Sequence, residues 1–283
     1  MIRVGVLTPH AALGPEAEFP TMAPGRVVTC VARIWTDAAP VGAGAGPTTV
    51  AGLRALTAQP VLDAAAELLG RSSLDVIGYA STSSAYAIGV DAEAAVVSRL
   101  SRRLGIPVLS TCASAVEALR VLDVERIALV DPPWFDAELN ELGASYFQSA
   151  GFDVVSSTSA DLSRDDRQID SAAVYEWTSR HVRSEAEAVF IGGNGFRAAG
   201  AIAALEAEIG RPVLASNQVL LWHLLAHAGA TFEISGYGRL FAHKPRVPAA
   251  GPESASSEAE GNPREARAPG SRASIRGDDL DFD

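Results

Sequence analysis

The sequence predicts an α/β fold of two pseudo-symmetric, Rossmann-like lobes with parallel sheets and an active-site cleft between them. Three observations lead there. Near-continuous apolar runs alternate with amphipathic stretches, as in parallel strands covered by helices on both faces. About 245 of the 283 residues carry this pattern, which suits one large or two small domains. Three stretches of the first half recur, in the same order, in the second.

Apolar runs bounded by turn residues place strands at 3–8, 27–34, 75–80, 107–111, 126–130, 153–156, 188–192 and 212–215. Helical stretches between them fall at about 49–70, 91–104, 113–122, 136–150, 168–183, 197–209 and 217–228. In the repeat, Arg3–His10 matches Arg126–Pro133, Asp75–Ser81 matches Glu187–Gly193, and Gly105–Ser110 matches Gly210–Ala215. Strands resemble one another, so it is the shared order that argues for duplication. The expected organisation is a first lobe over 1–115, completed by about 219–245, and a second over 116–218. From Arg246 to Asp283 the chain turns to Pro, Ser, Ala, Gly, Glu and Arg, which bury too little apolar surface to offset ordering entropy; a disordered tail is expected there.

Composition removes several reaction classes. Lys244 is the only lysine, and it lies just before the tail, so neither a phosphate-binding P-loop nor Schiff-base chemistry fits. Cys30 and Cys112 are too few and too far apart for a zinc ribbon or a disulfide framework. A net charge of −11 argues against nucleic acid as a partner. The first residues read as a strand rather than a signal peptide, and no apolar run approaches the roughly 20 residues of a membrane helix. These features favour a cytoplasmic protein with no membrane partner; assembly of identical chains is left open.

In open α/β sheets ligands sit beyond the carboxyl ends of the strands. The turns there are 9–14, 81–86 and 110–113 in one lobe and 131–135, 192–197 and 216–218 in the other. Ser81-Thr82-Ser83-Ser84 offers four hydroxyls and successive N–H groups, a cradle for a carboxylate or enolate oxygen, although a helix cap accounts for one or two of them. Gly192-Gly193-Asn194-Gly195 stands at the equivalent point of the second lobe. Gly193–Ala198 reads G-x-G-x-x-A, yet the following strand ends in Ala215-Ser216-Asn217 with no acid to hold a ribose, so a dinucleotide is not expected.

The stretches 76–83, 210–218 with Trp222, and 236–241 resemble the arylmalonate decarboxylase and maleate cis-trans isomerase families of the Asp/Glu racemase superfamily. Pro9-His10-Ala11-Ala12-Leu13-Gly14-Pro15 is more similar to the decarboxylase. The resemblance spans about residues 1–243 and implies two lobes, no cofactor, and a small carboxylate substrate held between them. It also implies a cysteine at each of two equivalent turns. Here Ser81 and Gly193 occupy those places, which disfavours two-base racemisation: a hydroxyl is a poor carbon base and Gly193 has no side chain.

Substitutes are named from residue type. Cys112 opens a helix, where the dipole is expected to lower its thiol pKa; otherwise it is a small core residue. His10 suits acid or base work near neutral pH, or is a surface loop histidine. Ser81 would be a weak nucleophile. Thr82 and Ser83 are expected to hold the substrate, together with Pro9, Gly193, Asn194 and Gly195, and Trp134 and Phe135 are expected to form an apolar wall or lid. Asp131 is a second-lobe polar group. Glu16 and Glu18 are expected in a solvated loop, His181 and His243 at the surface, and His223 with His227 as a packed pair rather than a metal site. The expected activity is that of a cofactor-independent lyase or isomerase acting at the carbon α to a carboxylate of a small dicarboxylic acid, decarboxylase-like through an enediolate held by Thr82 and Ser83. A maleate-isomerase-like enzyme and a non-catalytic carboxylate-binding protein are the alternatives.

Overall fold

Two four-stranded parallel sheets carry the chain. The computed structural model describes residues 1–9, 11–35 and 49–246. The first sheet holds β1 (Ile2–Thr8), β2 (Val27–Arg33), β3 (Val76–Tyr79) and β4 (Val108–Ser110) in the order β2-β1-β3-β4. The second holds β5 (Arg126–Asp131), β6 (Asp153–Ser159), β7 (Ala188–Ile191) and β8 (Val213–Ala215) in the order β6-β5-β7-β8. The orders correspond strand for strand, and the three recurring stretches end on β1 and β5, β3 and β7, β4 and β8. Strands β3, β7 and β8 are buried throughout, as sheets covered on both faces require, while the edge strands β2 and β6 are half-buried. In each sheet the chain leaves the central strand in one direction and returns on its other side. That reversal opens a crevice at the carboxyl ends of β1 and β3, and of β5 and β7.

The helices are α1 (Pro15–Met22), α2 (Val50–Thr57), α3 (Val61–Gly70), α4 (Thr82–Ile88), α5 (Val90–Leu104), α6 (Thr111–Val121), α7 (Ala137–Ser149), α8 (Ser171–His181), α9 (Ile202–Ile209) and α10 (Ser216–His227). The single helix expected over 49–70 is two, because Pro60 has no N–H to donate and the chain leaves helical geometry at Ala58 (φ −76°, ψ 156°). Two short helices escaped the periodicity reading. Pro15 and Glu16 start α1, with the Glu16 carboxylate accepting from Gly14 N–H (3.1 Å). Ser81 caps α4 by accepting from Ser84 N–H, so the expected hydroxyl turn is a helix start. The helix expected over 197–209 opens as a 3-10 turn at Ala199–Ala201.

The two halves lock together through α4. Its Tyr86 ring lies edge-on to Phe135 and Phe147 and tilted against Tyr146, all from the second half (centroids 6.1–6.3 Å). The described residues up to Arg246 belong to one contact unit, and the expected disordered tail lies outside the described residues beyond Arg246. No described helix is long and apolar enough to cross a membrane.

Candidate active site

The crevices of the two sheets meet in a buried polar network. After β3 the chain enters α4 at Thr82, and after β7 it turns through Gly192-Gly193-Asn194. Gly193 N–H donates to Thr82 Oγ1 (3.2 Å), and both Thr82 N–H and Thr82 Oγ1 reach Asn194 Oδ1 (3.2 Å each). Two further strand ends close on the same point. Thr111, after β4, donates to Asn194 Oδ1 (3.2 Å), and Ser216, after β8, lies 3.1 Å from Thr82 Oγ1 and donates to Ile191 C=O (3.2 Å). Asn194 Nδ2 donates to Asn217 Oδ1 (2.9 Å). Thr82, Thr111, Asn194, Ser216 and Asn217 are all buried, where such groups are costly unless paired.

Glycine at 193 follows from this geometry. Its φ is +80°, and a Cβ there would lie 2.7 Å from Pro132 Cγ. A side chain at this point of the turn meets both backbone strain and the proline ring, so a cysteine has no room in the present arrangement.

The expected site residues separate into groups. Thr82, Gly193 and Asn194 come together as expected, with Gly195 buried in the same turn. Ser83 is half-buried and its hydroxyl makes no hydrogen bond among the described residues. The Ser81 hydroxyl is committed to the cap, accepting from Ser84 N–H (3.2 Å) and donating to Ser84 Oγ (2.7 Å). Pro9 is buried at the end of β1, and His10 lies outside the described residues. Trp134 stands half-exposed, edge-on to Phe196 at 6.0 Å, whereas Phe135 turns into the core against Tyr86. His223 and His227 meet edge-on one turn apart (4.7 Å), with His223 Nδ1 3.0 Å from Ser114 Oγ; burial lowers the His223 pKa to about 4.

Cys112 reverses its expectation. It does open α6, but burial pushes its thiol well above the usual value, with Glu93 and Asp131 adding to the rise. Desolvation outweighs the helix dipole because the side chain has no solvent contact. Its Sγ points at Thr82 C=O (3.8 Å), beneath the first turn of α4.

Two buried carboxyls lie next to the network. Asp131 ends β5 with its Oδ1 against Gly192, only 2.1 Å from where a Cβ would stand, and it accepts from Tyr86 O–H (3.3 Å). Burial raises its pKa to about 7, opposed by the Tyr86 bond. With its amide turned to satisfy both ends, Asn140 donates to Asp131 Oδ2 (3.3 Å). Glu93, on α5, accepts from Tyr146 O–H, and burial raises it to about 7 as well.

Glu18 is the largest correction. Rather than lying in a solvated loop, it sits on α1, buried at 7% exposure, accepting from Ala199 N–H (2.8 Å) and Asn217 Nδ2 (2.6 Å). The buried stripe of α1 is Pro15, Glu18, Phe19 and Met22, spaced i, i+3, i+4, i+7. The stripe is readable only once the bounds of α1 are known, because eight residues are too few to set a period. Thr111, Ser216 and Asn217 were findable by the strand-end rule that picked out Thr82.

A family model described as arylmalonate decarboxylase matches residues 47–241. No curated protein matches the chain. Unliganded arylmalonate decarboxylase superposes with a TM-score of 0.69 at 20% identity, over 86% of this chain and 99% of that one. The maleate isomerase Iso from Pseudomonas putida S16 gives 0.72 at 20% identity (85% and 98% covered). Nocardia farcinica maleate cis-trans isomerase bound to TRIS gives 0.73 at 23% (85% and 98%). At these identities the likenesses show a shared fold.

Proposed function

The chain belongs to the arylmalonate decarboxylase family, and from that premise we propose that it is a cofactor-independent lyase removing CO2 from the α-carbon of a small dicarboxylic acid. The observation that carries this reading is the meeting of the two equivalent turns, Gly193 N–H on Thr82 Oγ1 and Asn194 on Thr82. Thr82 N–H, Thr82 O–H, Gly193 N–H and Ser216 O–H are donors within one small volume between the sheets, and Ser83 follows Thr82 on the first turn of α4. A substrate carboxylate exchanges their mutual bonds for charge-assisted ones. When the second carboxylate leaves as CO2, its bonding electrons pass to the α-carbon and delocalise into the retained carboxylate as an enediolate. These donors are then aimed at the oxygens that gain charge.

A proton must replace the CO2. Asp131, with its pKa raised to about 7, is partly protonated at neutral pH and releases that proton readily; Glu93 is raised as far, but its carboxyl is bonded to Tyr146, whereas Asp131 lies against the Gly192 turn. Cys112 is buried under α4 and holds its proton too tightly, so we place it in the support of Thr82. His10 is the alternative donor from the turn after β1. The isomerase alternative needs a covalent nucleophile; the Ser81 hydroxyl is spent on capping α4, which favours decarboxylation.

The test is incubation with phenylmalonate, methylphenylmalonate and maleate in deuterated water, followed by proton and carbon NMR. The expected result is CO2 loss from an arylmalonate with one deuteron at the α-carbon. Fumarate from maleate favours the isomerase reading instead, and binding without turnover favours a carboxylate-binding protein.

A further inference from the structure

Glu18 stands at the far end of an unbroken hydrogen-bonded chain that finishes on Thr82. The carboxylate accepts with both oxygens, from Ala199 N–H (2.8 Å) and Asn217 Nδ2 (2.6 Å). An ionised carboxylate only accepts, so it orients the Asn217 amide with its nitrogen towards Glu18. The second Asn217 Nδ2 proton goes to Asn194 C=O (2.8 Å), and Asn217 Oδ1 is left to accept from Asn194 Nδ2 (2.9 Å). That in turn directs Asn194 Oδ1 at Thr82 N–H and Thr82 Oγ1 (3.2 Å each). Reversing the Asn217 amide would set its nitrogen against Asn194 Nδ2. Asn194 would then have to turn, and Thr82 would lose its acceptor.

We propose that Glu18 is a positioning residue: through Asn217 it fixes the Asn194 amide, whose Oδ1 holds Thr82 in place until the substrate carboxylate takes over the Thr82 donors. The proposal rests on the carboxylate-cradle reading given above. Three elements that are distant in sequence meet in this chain: α1, the 3-10 turn at Ala199, and the start of α10. A buried carboxylate is an expensive way to join them if only adhesion were needed, because burial works against its ionised form; Asn217, Ala199 and Arg197 oppose that effect. What it supplies beyond adhesion is polarity, since an acceptor-only group dictates which way two successive amides face.

The experiment uses the full chain and follows the side-chain amide resonances of Asn194 by NMR, together with phenylmalonate affinity and the split of turnover into kcat and KM. Glu18→Gln keeps the size but presents one donor and one acceptor, so it no longer imposes the Asn217 orientation. The expected outcome is a shifted or doubled Asn194 amide signal and phenylmalonate binding weaker by about tenfold, the scale of coupling that such networks carry. Asn217→Ala cuts the next link while leaving the Glu18–Ala199 bond, and it is expected to weaken binding similarly. The double variant should then lose little more than either alone. If Glu18→Gln does not fold, Asn217→Ala decides by itself, and unchanged phenylmalonate affinity in it overturns the proposal. Asn194 signals at wild-type positions in folded Glu18→Gln also overturn it. If the wild-type protein does not bind phenylmalonate while the Asn194 signals move, the orienting chain stands and the carboxylate-cradle reading falls.

Discussion

Gly193 N–H donates to Thr82 Oγ1 at 3.2 Å, and through this bond the turn after β7 meets the turn after β3. The two residues are 111 positions apart, yet their turns follow corresponding strands of a duplicated arrangement. A cleft between two such halves needs polar groups from both, and this pair supplies them.

Thr82→Ala removes the hydroxyl that Gly193, Asn194 and Ser216 all address. If Thr82 stabilises the enediolate, kcat falls by on the order of 10²-fold, as when one oxyanion donor is lost. Steady-state kinetics on an arylmalonate checks this; a rise in KM with kcat unchanged would assign Thr82 to ground-state binding alone.

Gly193→Cys places a thiol where the superfamily resemblance implies one, but φ of +80° and the Pro132 ring oppose it. The variant is expected to lose about 1–3 kcal/mol of stability by chemical denaturation, with no gain in activity. An active, undiminished Gly193→Cys would show that the turn readily remodels.

Asp131 as the proton donor must be protonated to act. With its pKa raised to about 7, kcat is expected to hold at lower pH and to fall as pH rises past about 7. In Asp131→Asn that limb should vanish, with activity reduced by roughly 10²-fold or more. A limb that survives in Asp131→Asn moves the role to His10.

Glu93 gives a separate prediction about stability. Its folded-state pKa, about 7, lies above the ordinary 4.5, so the folded state holds the proton more tightly than the unfolded one. The contribution is fully present below about pH 4.5 and is lost as pH rises through about 7. Glu93→Gln, which can still accept from Tyr146, escapes this loss. Relative to wild type it should gain roughly 3 kcal/mol between pH 4.5 and pH 8 in denaturation experiments. A constant difference across that range would show that Glu93 titrates normally.

Cys112→Ser tests the assignment of that thiol to support. Activity should stay within about threefold, while stability drops by roughly 1–3 kcal/mol because a hydroxyl replaces sulfur in a fully buried place. Loss of turnover without loss of stability would return Cys112 to the chemistry.

The paired sheets were legible in the sequence because buried parallel strands are written as apolar runs, and because duplication wrote most of them twice. Thr82, Gly193 and Asn194 were legible through the strand-end rule, which follows from topology. Short helices were not: α1 and α4 are too brief to show a period, and α4 looked like a hydroxyl loop because a serine cap and its neighbours share that composition. The state of Cys112 was misjudged because a helix start is local information, whereas desolvation depends on packing against distant elements. Glu18 was missed for the same reason, since only tertiary structure brings Asn217 and Ala199 to it.

The most direct test of the central claim is a titration of phenylmalonate into nitrogen-15-labelled protein, following backbone amides. The Thr82 and Gly193 N–H resonances are expected to move together and saturate, as both donate to the incoming carboxylate. Saturable binding that leaves both resonances in place would contradict it.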